Sequence, residues 1–225
     1  MTARENVKEE KRNNVTELVF IIDRSGSMSG LESDTVGGYN SMIERQKEAG
    51  CECLVTTVLF NHVTEKLHDR VPLESVKKLT SDDYVPSGTT ALIDAVGETI
   101  DHVKTIHRYI RPEDLPEKTL FVITTDGLEN ASTRYRAQDV KKTVKSLTKE
   151  GWEFLFIGAN IDSVETAGRI GVSPSCAVDY KADRAGTAVL YDTVAETVCA
   201  MCECGEVPKN WSKKIKEDKK RRDNG

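Results

Sequence analysis

The stretch "FIIDRSGSMSG" (20–30) sets one carboxylate and two hydroxyls, Asp23, Ser25 and Ser27, at alternate positions directly after an apolar run. Two distant stretches carry the same kind of atom: "SGTTAL" (87–92), with adjacent Thr89 and Thr90, and "TTDG" (124–127), with Asp126. With one of the two threonines, they offer two carboxylates and three hydroxyls, an all-oxygen set suited to a hard divalent cation such as Mg²⁺ or Mn²⁺. Two carboxylates against one dication leave no formal charge. Neutral hydroxyls fill coordination positions without weakening the cation's pull on a further anion. Such an ion stays electrophilic, with a position for an incoming carboxylate or phosphate. Gly26 and Gly30 let the first loop fold back tightly, and Gly127 does the same after Asp126.

These residues need elements that bring them to one place. "ELVFIID" (17–23) reads as a strand, followed by a helix over about 34–49 that ends at Gly50. "CLVTTVLFN" (53–61) and "EKLHDR" (65–70) read as a hairpin, antiparallel and at a sheet edge. A helix over 91–109 carries Leu92, Ala95, Val96, Thr99, Val103 and Ile106 on one face, and "KTLFVITTD" (118–126) is a strand rich in β-branched residues. A helix over 137–150, the strand "WEFLFIGAN", a short helix over 161–170, the edge strand "CAVDY" and a helix over 183–201 complete the pattern. The alternation implies an α/β fold: a Rossmann-like, doubly wound, mostly parallel central sheet with one antiparallel edge strand and helices on both faces. Ligands bind such sheets outside the carboxyl ends of the strands. All three oxygen-bearing stretches fall at that rim.

Asp23-x-Ser25-x-Ser27, the threonine of "SGTTAL" and the Asp of "ITTDG", in that order, resemble the von Willebrand factor type A (VWA) domain and its metal-ion-dependent adhesion site. The resemblance spans about 17–201, including the element order. It implies that Asp23, Ser25, Ser27 and Asp126 hold a divalent metal directly or through water. It also favours Thr90 as the threonine, because the small and aliphatic residues that family members place five and six positions on are then Ala95 and Val96; Thr89 is the alternative, as a helix cap. The implied function is a non-enzymatic, metal-dependent protein-binding module in which a partner's Asp or Glu completes the coordination shell. Arg24, Met28, Leu128, Glu129 and Asn130 are then candidate contacts on the rim.

Other classes find less support. An Asp at a strand end beside Mg²⁺ can act as a phosphoryl-transfer nucleophile, which gives a phosphatase alternative centred on Asp23. The second Asp that haloacid-dehalogenase-like phosphatases place two residues later is Ser25 here, so the expected general acid is missing. The net charge of −5 conceals a basic end, because 206–225 holds eight Lys or Arg against four Asp or Glu. That tail suggests nucleic-acid association as a weaker alternative, with Trp211 as its one aromatic. Six cysteines are too sparse for a disulfide scaffold. "CAMCEC" contains half of a zinc ligand set, but no convincing mate is legible, so free thiols are expected. His62, His68, His102 and His107 show no ligand spacing. The start of the chain has no apolar signal-like segment and no stretch is long enough to span a membrane, so a cytoplasmic setting is expected. The divisions expected are a charged extension over 1–15, the VWA-like domain over 16–205 and the basic tail over 206–225.

Overall fold

The computed structural model describes residues 15–223; the charged N-terminal extension, up to residue 14, lies outside the described residues. Six strands form one sheet: β1 (Thr16–Asp23), β2 (Cys53–Phe60), β3 (Thr64–Pro72), β4 (Lys118–Thr125), β5 (Glu153–Gly158) and β6 (Ala177–Asp179). Their spatial order is β3-β2-β1-β4-β5-β6. β2 and β3 pair antiparallel, and the other neighbours pair parallel. The fold class and its single antiparallel edge are as the alternation implies.

Helices cover both faces. α1 (Glu32–Glu48) and α5 (Arg184–Cys204) lie over one, and α2 (Leu92–Tyr109), α3 (Ala137–Lys149) and α4 (Ser163–Ile170) over the other. β1 feeds both cores because its side chains alternate: Leu18, Phe20 and Ile22 enter the first, Val19 and Ile21 the second. All eight of its residues are buried. Each large apolar side chain so buried contributes about 1.5–3 kcal/mol.

From β1 the chain builds outward through β2 and β3, then returns to the other side of β1 for β4, β5 and β6. The order therefore reverses between β1 and β4, and this opens a crevice at their carboxyl ends. Asp23 ends β1, and Asp126 directly follows β4.

The basic C-terminal stretch folds back onto the elements before it. It contains α6 (Lys213–Asp223), which packs against α5 and β6. Two buried apolar residues four apart, Trp211 and Ile215, anchor it, and Trp211 Nε1 donates to the Ser175 carbonyl at 3.0 Å. Several of its cations are paired: Lys214 with Glu196, Lys219 with Asp179, and Arg222 with Asp183 and Asp218. Charge dominates this stretch by count, yet two apolar contacts determine where it sits.

Candidate metal site

β1 delivers Asp23 to the rim as a side chain with no exposed surface. Its Oδ1 accepts the Ser25 N–H at 2.7 Å, and its Oδ2 accepts the Thr125 hydroxyl at 2.5 Å. The loop then turns back, so that Ser25 Oγ and Ser27 Oγ lie 3.1 Å apart. Ser27 Oγ donates to Asp126 Oδ1 at 2.5 Å across 99 residues of sequence. A side chain at Gly127 has no room: a Cβ there would lie 2.8 Å from Thr90 Oγ1, 3.1 Å from Ser27 Oγ and 3.6 Å from Ser25 Oγ. Three hydroxyls from two distant loops therefore gather around one glycine. Asp23, Ser25, Ser27, Thr90 and Asp126, singled out in the sequence, are brought together.

Adjacent loops brace the cluster. The Gly26 N–H donates to the Gly88 carbonyl, and the Ser87 N–H to that of Arg24. Gly88 adopts a φ of +72°, which a residue with a side chain would resist. Thr90 is clasped by Asn130, whose Oδ1 accepts the Thr90 N–H while its own N–H donates to the Thr90 carbonyl. Thr89 faces solvent instead. The Tyr84 hydroxyl, fully inside the protein, donates to the Asp23 carbonyl at 2.5 Å.

Burial pushes the Asp23 carboxyl above its ordinary pKa; the Thr125 and Ser25 hydrogen bonds oppose this, and the neighbouring Asp126 carboxylate reinforces it. Burial likewise raises Asp126, against the Ser27 hydroxyl bond. No side-chain cation is paired with either acid among the described residues. Arg24, next in sequence to Asp23, points away to Glu65 Oε2 at 2.6 Å and to the Asp83 carbonyl. Two crowded carboxylates, three hydroxyls and no protein cation form a donor set that fits a hard divalent ion.

Of the candidate rim contacts, Leu128 is well exposed and Asn130 reaches solvent. Met28 is a correction: it is buried in the core beneath the loop, because the short 3-10 turn over Gly26–Met28 rotates it inward. Arg24 and Glu129 are occupied in bracing the loops; Glu129 accepts the N–H groups of Ile93, Ala131 and Ser132. Sequence reasoning missed Thr125. The register offers the signal, since Ile22 pairs with Thr124 and the next residues, Asp23 and Thr125, are thereby side by side at the strand ends.

No family model matches the sequence, and no curated sequence matches it. Solved structures do. A mussel byssus protein, proximal thread matrix protein 1 "with zinc occupied MIDAS motif", superposes with a TM-score of 0.58 at 18% identity, over 82% of this chain and 46% of that one. A von Willebrand factor type A protein from Catenulispora acidiphila gives 0.56 at 14%, over 82% and 43%. The fold is that of the von Willebrand factor type A domain. The vWF domain of the pili tip protein Mfa5 from Porphyromonas gingivalis gives 0.59 at 10%, over 86% of this chain and 98% of that one. The chain spans less than half the length of the mussel protein. Among the described residues no helix is long and apolar enough to cross a membrane. Nothing in these VWA-fold neighbours, a byssal matrix protein and a pilus tip protein among them, supports the cytoplasmic setting expected above.

Proposed function

We propose that Asp23, Ser25, Ser27, Thr90 and Asp126 hold a divalent cation, Mg²⁺ or Mn²⁺, directly or through water, and that this chain is a metal-dependent protein-binding module without enzymatic activity. Two buried carboxylates share the rim with three hydroxyls and lack any paired side-chain cation among the described residues, and that combination supports the reading. Bound there, the ion supplies an electrophilic position to which an Asp or Glu of a partner protein coordinates. The chain's own part is to hold the donors still. Thr125 orients Asp23, Asn130 fixes the Thr90 loop, and Gly127 leaves room for the hydroxyls. Around them Val63, Val85 and Leu128 expose apolar surface on the rim loops, suited to contacts beside the acidic group.

The phosphatase alternative fares worse. Ser25 stands where such phosphatases place a second Asp, and no other described acid is placed beside Asp23 except Asp126, which the metal reading uses, so the general acid is missing. The pairing of α6 cations with local acids likewise weakens the nucleic-acid alternative.

Calorimetric titration with Mg²⁺, Mn²⁺ and Zn²⁺ tests the site, with zinc included because the mussel neighbour holds it. The expected outcome is single-site binding that disappears in Asp126→Ala. Partner capture should follow the same pattern, present with metal and lost with chelator. Equal metal binding by the wild type and Asp126→Ala would overturn the reading.

A further inference from the structure

At the opposite end of the sheet, four cysteines from two distant segments meet. Cys53 is the first residue of β2, and Cys51 precedes it by two; Cys199 and Cys202 lie on the last turns of α5. The two pairs that the sequence leaves unmatched are thus neighbours in space.

Gln46 on α1 sorts these thiols. Its side chain is buried and anchored, with Nε2 donating to the Ala195 carbonyl at 2.8 Å. Its Oε1 accepts S–H bonds from Cys51 at 3.3 Å and from Cys199 at 3.4 Å. Cys53 and Cys202 are left facing each other, Sγ to Sγ, at 3.5 Å.

The pair is chemically unequal. Cys202 is half-buried and Cys53 buried, and the contact between the two sulfurs draws the Cys202 thiol below its usual pKa despite partial burial. That same contact, together with burial, pushes Cys53 upward. Cys202, the more accessible of the two and the one that lines a cavity, is where an oxidant arrives first, and Cys53 lies within reach of it.

Cys202 also has an entrance. A cavity of about 250 Å³ is lined by Thr16, Glu117, Lys118, Cys202, Glu203 and Cys204. Two carboxylates against one ammonium disfavour an anionic disulfide reagent, and the small volume favours a small neutral oxidant. Among the described residues no three His, Cys, Asp or Glu side chains are arranged to hold a metal ion, and the cysteines are free of disulfides.

We propose that Cys53 and Cys202 form a peroxide-responsive thiol pair that closes to a disulfide, joining the start of β2 to the last turn of α5. The Cys202 thiolate attacks one oxygen of hydrogen peroxide; the O–O bond breaks, hydroxide leaves and takes a proton to become water, and Cys202 becomes a sulfenic acid. The Cys53 sulfur then attacks the Cys202 sulfur and its proton goes to the departing oxygen, so a second water leaves as the S–S bond forms. Two thiols are oxidised by two electrons, and the peroxide is reduced to two waters. The sulfurs close from 3.5 Å to a bond of about 2.05 Å.

The test is mass spectrometry on the full chain, reduced, freed of reductant and treated with hydrogen peroxide. The intact mass should fall by about two units, and peptide mapping should find the Cys53–Cys202 link. Cys53→Ser should stop at a sulfenic acid that dimedone traps on Cys202, and Cys202→Ser should give neither product. Cys204→Ser, at the cavity mouth, should leave the link intact. Mapping of the unmutated chain needs no variant to fold. Four results would overturn the proposal: a link through Cys204, Cys51 or Cys199; trapping first at Cys204; no loss of mass; or a co-purified metal ion whose removal is needed before any thiol reacts.

Discussion

Glu17 and Asp23 lie at opposite ends of β1, and neither exposes any surface, yet the protein treats their charges differently. Glu17 Oε2 lies 2.5 Å from His107 Nε2, and its Oε1 lies 3.5 Å from Arg70 Nη1. Asp23 receives the Ser25 N–H and the Thr125 hydroxyl but no side-chain cation among the described residues, with a second carboxylate nearby. Asp94, close to the rim on α2, represents a third solution: it accepts the backbone N–H groups of Thr133, Arg134 and Tyr135. Burying a carboxylate costs several kcal/mol unless something opposes its charge. The base of the sheet supplies that from its own side chains, whereas at the rim no side-chain cation among the described residues does so, and the proposed metal ion would take that part.

Breaking the internal solution should have the largest effect. Replacing both His107 and Arg70 by Ala leaves Glu17 buried without its two partners and should cost about 3–5 kcal/mol in urea denaturation, with metal binding unchanged. If the stability loss were under about 1 kcal/mol, the contrast between the two ends would collapse.

The rim should respond to an ion instead. Metal at 100 times its Kd should stabilise the chain by about 2.7 kcal/mol, seen as a rise in Tm that chelator reverses. Asp126→Ala should abolish that rise while still folding. A rise that survives this substitution would place the ion elsewhere.

Asp94 sharpens the middle case. Burial raises its pKa, but the three backbone N–H groups and Arg134 outweigh burial and hold it below the usual value. A depressed folded pKa contributes stability above the unfolded pKa, near 4, and that contribution is lost as pH falls through the folded value. Asp94→Ala should therefore cost about 1.5–3 kcal/mol at neutral pH. The difference from wild type should shrink below about pH 4. A cost that stays constant down to pH 2 would assign the effect to packing rather than to charge.

The smallest effects separate neighbours. Thr125→Val removes the hydroxyl that orients Asp23 and should weaken metal binding by about 10- to 100-fold, as outer-shell partners do. Thr89→Ala, at an exposed position, should change stability by no more than about 0.5 kcal/mol and leave metal affinity alone. If the two variants behaved alike in a metal titration, the ordering of the rim would be wrong.

Much of the fold was legible because its signals are local. Apolar runs bounded by Gly50 and Gly151 announced β2 and β5, and a 3.6-residue period announced α2. Helix ends shifted by a few residues where caps intervened. α4 begins at Ser163 because Asp162 accepts the Glu165 N–H, and α5 runs on to Cys204, where Gly205 adopts a left-handed φ of +75°. α6 escaped notice because its period is swamped by charge, and its stability comes from Trp211 and Ile215 meeting surfaces formed by earlier elements.

By itself, the sequence determined the order of strands and helices and the three oxygen-bearing stretches at strand ends, since backbone preference and side-chain alternation act over a few residues. Tertiary structure alone decided that Thr125 would steady Asp23 from 102 positions away, that Met28 would turn inward, and that Gln46 would divide four thiols into two kinds. Those outcomes depend on which atoms become neighbours after the chain has packed. A contact between residues a hundred positions apart has no local periodicity to reveal it.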